Sequence, residues 1–125
     1  MIRVFLLTAA LLGGLAVAAG AFATHALKAT LPERALEIFE TAARYQMYHA
    51  LALLAVALLL SRTEAAQVWL NAAGFGFIAG VLIFSGSLYA LSFSGVKWLG
   101  ALAPLGGAAF LLGWGCLAVA AFSFK

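Results

Sequence analysis

Polar and charged residues divide this chain into long apolar stretches. The stretches that contain no charged residue are 4–27, 45–61, 65–96 and 98–124. A helix needs about 20 apolar residues to cross the hydrocarbon layer of a bilayer, at about 1.5 Å per residue. Open strands would leave backbone groups unpaired in lipid, and strict alternation of apolar and polar residues is absent. The pattern predicts an all-α integral membrane protein, a bundle of four transmembrane helices.

We expect a single transmembrane domain over residues 1–125. The helices are predicted at approximately 4–23, 42–60, 66–91 and 98–122. The first stretch shares features with a secretory signal peptide, because Arg3 precedes it and Ala16-Val17-Ala18 fits a cleavage site. Its apolar run continues to Ala23, so we interpret it as a retained first helix.

The polar segment after the first helix predicts an amphipathic helix over 32–44. Thr30 and Glu33 have the spacing of a capping box at its start. Glu40 and Arg44 are spaced to form an ion pair one turn apart on its polar face. We expect this helix either to lie at the membrane surface or to run into the second transmembrane helix.

Small residues at four-residue spacing run through the predicted helices. In lipid this spacing lets two helix backbones approach closely and gain dispersion contacts. The glycines expected to mediate helix packing are Gly13, Gly14, Gly20, Gly76, Gly80, Gly106, Gly107 and Gly113. Packing within one bundle is the simplest interpretation, and association into a homo-oligomer or a larger membrane complex is the alternative. Pro104 is expected to kink the fourth helix.

Composition excludes several classes of protein. Apolar residues make up 66% of the chain and charged residues 9%, whereas soluble domains carry about 25% charged residues. A soluble domain and a disordered chain are therefore excluded, and no basic stripe exists to bind nucleic acid. Paired carboxylates, a CxxC motif and a Gly-rich phosphate loop are also absent from the sequence. We expect no catalytic residue and no metal site, and hence a non-enzymatic protein.

The remaining polar residues concentrate between the first two transmembrane helices. His25 follows the first helix and His49 lies about one turn inside the predicted second helix, so antiparallel helices would place both near one membrane face. The candidate ligand-binding cluster is His25, Lys28, Arg44, Tyr45, Gln46, Tyr48 and His49.

Three roles are open for this cluster. It anchors the corner by bonding to itself and to lipid headgroups, it binds a lipid phosphate or a quinone, or its two histidines ligate haem or a metal. The structural role is the simplest, because polar side chains near a membrane interface cost little. No cofactor is expected, and haem and quinone stay as alternatives. A transporter or channel is the least favoured function, because the first, third and fourth helices contain no charge.

Four spans would place both termini on the same side of the membrane. The basic residues on the terminal side are Arg3, Arg62 and Lys125, and those on the other side are Lys28, Arg34, Arg44 and Lys97. This division does not set the orientation, and termini in the cytoplasm are favoured only slightly. Aromatic residues near the ends of the apolar stretches are typical of an interfacial belt. They are Trp69, Trp98, Tyr45 and Tyr89.

Several motifs follow one another along nearly the whole chain. They are GAFATHAL at 20–27, RYQMYHAL at 44–51, FSGSLY at 84–89, WLGALAPLGG at 98–107 and Gly113-Trp114. With these motifs the chain resembles the small bacterial membrane proteins of the YgdD/YwdK type. It departs from their usual pattern at Ala23-Thr24, where Gly-Ala is common, and at Ala103, where Thr is frequent.

The resemblance implies a four-helix protein of the inner (plasma) membrane with unknown function. It supplies no catalytic residue. Residues and resemblance together favour a structural or accessory membrane component that acts through helix packing. A lipid- or quinone-binding protein that uses the corner of His25 and His49 is the alternative.

Overall fold

The computed structural model describes residues 1–125 as four helical spans that are long and apolar enough to cross a membrane. The α-helices are α1 (Ile2–His25), α2 (Glu33–Leu60), α3 (Gln67–Gly80), α4 (Gly86–Ser94) and α5 (Ala103–Ala121). A π-helical segment, Val81–Ser85, joins α3 to α4 within the third span, and a 3₁₀ segment, Lys97–Ala101, opens the fourth. The chain contains no strand. The prediction of an all-α bundle of four transmembrane helices is confirmed.

Neighbouring spans run in opposite directions. Gly76 lies against Gly113 and Gly106 lies against Phe84, so residue numbers rise along the third span as they fall along α5. The first two spans are likewise antiparallel, because they are joined by a short connection and pack along their length. Both termini and the connection at 61–66 therefore lie at one end of the bundle, and the connections at 26–32 and 95–96 lie at the other.

The core lies between the spans, and the outer surface is also apolar. The largest fully buried apolar side chains are Phe5, Phe77, Leu53, Leu70 and Val56. Large apolar side chains also cover the outside, including Leu11 on α1 and Leu111 on α5, which are 58% and 75% exposed. A helix that is hydrophobic all round fits a bilayer rather than water. Lipid is therefore the medium that surrounds the bundle.

Helix α2 begins earlier than the apolar pattern suggested. The segment predicted as an amphipathic helix over 32–44 is the first part of an uninterrupted helix, Glu33–Leu60. Of the two arrangements considered, the structure thus has the one in which the polar segment runs into the second span.

The predicted contacts of this polar segment differ from the observed ones. The capping box is wrong, because the Thr30 hydroxyl donates to the carbonyl of Leu27 at 3.4 Å and the N-cap residue, Pro32, makes no side-chain bond. The predicted ion pair of Glu40 and Arg44 does not form either. The Arg44 guanidinium donates instead to the Thr41 hydroxyl, 3.4 Å away on the preceding turn.

Four of the eight predicted packing glycines lie where a neighbouring helix occupies the space of a side chain. They are Gly76, Gly80, Gly106 and Gly113. A Cβ on Gly106 would lie 2.3 Å from the backbone nitrogen of Phe84, and one on Gly76 would lie 3.0 Å from the Cα of Gly113. The third and fourth spans therefore pack backbone against backbone. Gly74, which sequence spacing did not single out, makes equivalent room for the ring of Phe5.

The other predicted packing glycines do not have this role within the bundle. Gly14, Gly20 and Gly107 face open space, and a Cβ on Gly13 would make only an ordinary contact with Ala50, at 3.8 Å. Spacing alone does not show which face of a helix meets a neighbour.

Pro104 also differs from expectation. The α-helical part of the fourth span begins at Ala103, so Pro104 occupies its first turn, where a missing N–H costs no hydrogen bond. The 3₁₀ segment before it replaces the predicted kink inside an α-helix.

Replacing Gly106 with alanine is expected to lower the free energy of unfolding by about 1–3 kcal/mol, the usual cost of overpacking. The added Cβ would meet the backbone of Phe84, which is held in its own helix. Gly107→Ala is the matched control, because nothing lies within 4 Å of its added Cβ. Unfolding of both variants in detergent is followed by circular dichroism. Equal stability of the two variants would contradict the close contact.

Candidate functional site

Hydrogen-bonded polar side chains join the spans near the mid-height of the bundle. These side chains, called the central network below, are Gln46, His49, Ser85, Tyr89 and Trp114. The side chains of Gln46 and His49 are each 5% exposed, and that of Ser85 is 1% exposed. Gln46 lies at the middle of α2 and bonds to Leu12, near the middle of α1. Polar groups at this depth are costly unless they are bonded, which makes them the leading candidates for function.

Gln46 connects three of the four spans. Its Nε2 donates to the carbonyl oxygen of Leu12 on α1 at 2.8 Å. Its Oε1 accepts a hydrogen bond from the Tyr89 hydroxyl on α4, also at 2.8 Å. The Tyr89 ring packs against Phe39, with ring centroids 4.9 Å apart. The amide is thus held from both ends, and its orientation is fixed.

His49 connects α2 to α5. The indole Nε1 of Trp114 donates to His49 Nε2 at 3.1 Å. An indole N–H acts only as a donor, so Nε2 must accept, and the ring proton of the neutral imidazole lies on Nδ1. Nδ1 then donates to the carbonyl oxygen of Tyr45, 2.7 Å away. Both ring nitrogens are engaged, so a haem or metal at His49 would have to displace one of these hydrogen bonds.

The imidazole of His49 also has a fixed plane. It stacks on Phe110 with ring centroids 3.5 Å apart and an angle of 9° between the planes. Phe77 lies on another side, at 5.5 Å. The surroundings of His49 are therefore aromatic as well as hydrogen bonded.

Ser85 connects the third span to α2. Its hydroxyl donates to the carbonyl oxygen of Ala42 at 2.8 Å. The Ser87 hydroxyl, in contrast, donates to a carbonyl of its own span, that of Phe84 at 3.0 Å. Ser85 ends the π-helical segment, a type of irregularity that often occurs at functional positions.

The predicted corner of His25 and His49 does not form. His25 is exposed at the end of α1, whereas His49 is buried against the third and fourth spans. Since Gln46 bonds to Leu12, the helix from Leu12 to His25 separates the two histidines by about 20 Å along the bundle. The error follows from placing the start of the second helix at 42, because α2 begins at Glu33 and His49 lies more than four turns inside it.

The other predicted members of the cluster lie outside the central network. Lys28, Arg44, Tyr45 and Tyr48 all have exposed side chains. Tyr45 packs its ring on Phe84, with centroids 4.8 Å apart. Of the seven predicted residues, the structure brings Tyr45 against both His49 and Tyr48, with ring centroids 6.2 and 5.6 Å apart, and only Gln46 and His49 belong to the central network.

Sequence reasoning missed two aromatic partners. Tyr89 was interpreted as part of an interfacial belt, and Trp114 was given no role. Both belong to motifs that carry the family resemblance, FSGSLY and Gly113-Trp114. Their position in these two motifs was the signal that could have pointed to them.

Comparison with known proteins identifies the family. A family model described as protein of unknown function (DUF423) matches residues 19–107. The UPF0382 membrane protein YwdK of Bacillus subtilis is 40% identical over 98% of both chains. This chain belongs to the DUF423 family. Two further relatives of the DUF423 chain are UPF0382 membrane proteins. That of Staphylococcus epidermidis is 40% identical over 98% of both chains, and that of Haemophilus influenzae is 41% identical over 97% of this chain and 95% of its own.

Membership of DUF423 confirms the resemblance to the YgdD/YwdK type. It agrees with a multi-pass membrane protein, since the relatives are named membrane proteins. No catalytic role is known for the family, whose function is unknown. No solved structure matches the chain.

Gln46→Leu and Tyr89→Phe are each expected to lower the free energy of unfolding, and the double variant is expected to lose less than the sum. The two residues share one hydrogen bond between spans, and such bonds contribute about 0.6 kcal/mol on average and about 1.7 kcal/mol at most in membrane proteins. Unfolding of the four proteins in detergent measures the coupling. Tyr48→Phe, at an exposed tyrosine, is the control. Strictly additive losses would contradict the bond.

Proposed function

We propose that this protein is a non-enzymatic structural or accessory component of the bacterial inner membrane that acts through helix packing. One observation carries the proposal: the buried polar groups of the central network are bonded to groups on neighbouring spans. Through Gln46, His49 and Ser85, α2 is linked to each of the other three spans. A catalytic or transport site needs polar groups that are available to a substrate. Here these groups hold the helices together.

Because hydrogen bonds between the spans use the inner faces of the helices, the outer faces are available to partners. Helix α1 is the most exposed of the four spans. Ala10, Gly14 and Ala18 follow one another at four-residue spacing and are all exposed. Small residues at this spacing allow a second helix to approach closely in lipid. This outer face of α1 is where a second copy of the chain, or a larger membrane complex, would bind.

Gly14→Leu is expected to abolish association and to leave the bundle folded. The new side chain would point into open space within this chain but would block the approach of a partner helix. Gly115→Leu is the matched control, because Gly115 on α5 also faces open space. Cross-linking in native membranes and pull-down in mild detergent measure association, and thermal unfolding checks the fold.

The accessory role would be contradicted if the wild-type protein proved monomeric and without a partner in both assays. It would also be contradicted if the two leucine variants behaved alike. Stoichiometric quinone in the purified protein, or haem absorbance, would favour ligand binding instead.

Ligand binding is the second candidate function, and one cleft favours it. The cleft opens to the membrane beside the central network and is lined by Tyr45, His49, Phe84, Phe110 and Trp114, among others. Its volume is about 460 Å³. A flat quinone ring would stack on these aromatic side chains. Ligand binding is the second candidate and not the first, because the hydrogen bond between His49 and Trp114 would have to break before a ligand could bond to the imidazole.

We propose that both termini lie in the cytoplasm. Three basic residues lie at the end that carries them and four at the other end, so basic residues alone do not decide the orientation, and reporter fusions test it directly. A green fluorescent protein fused after Lys125 is expected to fluoresce, and alkaline phosphatase fused there is expected to be inactive. The reverse pattern would contradict this orientation, and fusion of each reporter in the 61–66 connection provides a second reading from the same side.

A further inference from the structure

A cavity of about 650 Å³ opens at the end of the bundle that carries the connections 26–32 and 95–96. Its walls come from the first turns of α2 and from the end of the third span with the start of the fourth. These segments are far apart in the sequence, so only the fold brings them together. Neither histidine lines this cavity, which is separate from the predicted corner and from the central network.

Two cationic side chains line the cavity. They are Arg34 and Lys97, and the lining itself contains no carboxylate, although that of Glu37 lies against Arg34. Arg34 also forms the only salt bridge of the chain, through one guanidinium nitrogen to Glu37 at 3.2 Å. Both partners of that pair are exposed, at 81% and 54%, and the remaining guanidinium donors stay available. Lys97 has no carboxylate partner at all.

The rest of the wall is apolar. Ile38 lies one helical turn beyond Arg34 along α2, and Leu91 and Phe93 lie on the last turns of α4 before Lys97. Cations therefore sit at the end of the bundle, and apolar side chains continue from them toward its middle. That order matches an amphiphile with an anionic head and acyl chains.

We propose that this cavity binds an anionic phospholipid, with its phosphate between Arg34 and Lys97 and an acyl chain along Ile38 and Phe93. The guanidinium fork matches two phosphate oxygens, and the ammonium adds a compact charge from the opposite wall. Basic pockets between membrane helices bind lipid headgroups in this way. The site is independent of the accessory role proposed above.

The test measures thermal unfolding of the full chain in neutral detergent with added phosphatidylglycerol, phosphatidylcholine or inorganic phosphate. Phosphatidylglycerol is expected to raise the unfolding temperature of the wild type in a saturable way, because a ligand that binds only the folded state stabilises it. Phosphatidylcholine and phosphate are expected to have little effect. Arg34→Gln with Lys97→Gln should abolish the rise.

The matched control is Arg62→Gln with Lys125→Gln, which removes the same charge from the opposite end of the bundle. Native mass spectrometry then counts phosphatidylglycerol retained by each protein. Retention should fall by about tenfold or more in the Arg34 and Lys97 double variant and stay unchanged in the control. If the double variant does not fold, Lys97→Gln alone should show a smaller loss by the same measurement.

Two results would overturn the proposal. If phosphatidylglycerol raised the unfolding temperature of the two double variants equally, its binding would depend on the overall charge of the protein rather than on this cavity. An equal rise with inorganic phosphate would assign the cavity to a free anion. Neither result bears on partner association through α1, so the accessory role stands or falls separately.

Discussion

An amide or an imidazole inside a bilayer has no water to bond with, and this constraint organises the bundle. Gln46 and His49 lie in the middle of α2, so the spans around that helix must supply their partners. Each span does so: α1 offers the carbonyl of Leu12, the third span the hydroxyl of Tyr89, and α5 the indole of Trp114. The relative positions of the spans are thus set by a few directional bonds, in a medium where apolar side chains gain little from leaving lipid.

Close backbone contact makes those bonds reachable. Gly76 and Gly113 let the third and fourth spans approach until main-chain atoms nearly touch, and Gly106 admits the backbone of Phe84. Dispersion forces act over short distances, so this contact supplies the non-directional part of the stability. Hydrogen bonds then select one rotation and one depth for each helix.

The number of spans and the medium around them were predictable, because charge-free stretches of membrane length have few other uses. The start of α2 was not, since the charges between Glu33 and Arg44 resemble a boundary although the helix passes straight through them. That error brought His49 toward the surface and created a corner with His25. The hydrogen bond between Gln46 and Tyr89 could not be predicted for a different reason. The spacing of residues along one helix does not reveal which residues of another helix face it.

The dependence of α2 on later spans has a consequence for biogenesis. The second span is the least apolar of the four, with a mean hydropathy of 1.3 against 2.2 for the first. When α2 enters the membrane after α1, Gln46 already has the carbonyl of Leu12, but the indole that caps His49 belongs to the last span. In the nascent chain, Nδ1 of His49 can bond to the carbonyl of Tyr45 within α2, but Nε2 has no partner until the last span has entered the membrane. The second span therefore gains its full set of hydrogen bonds only when the whole chain is in the bilayer.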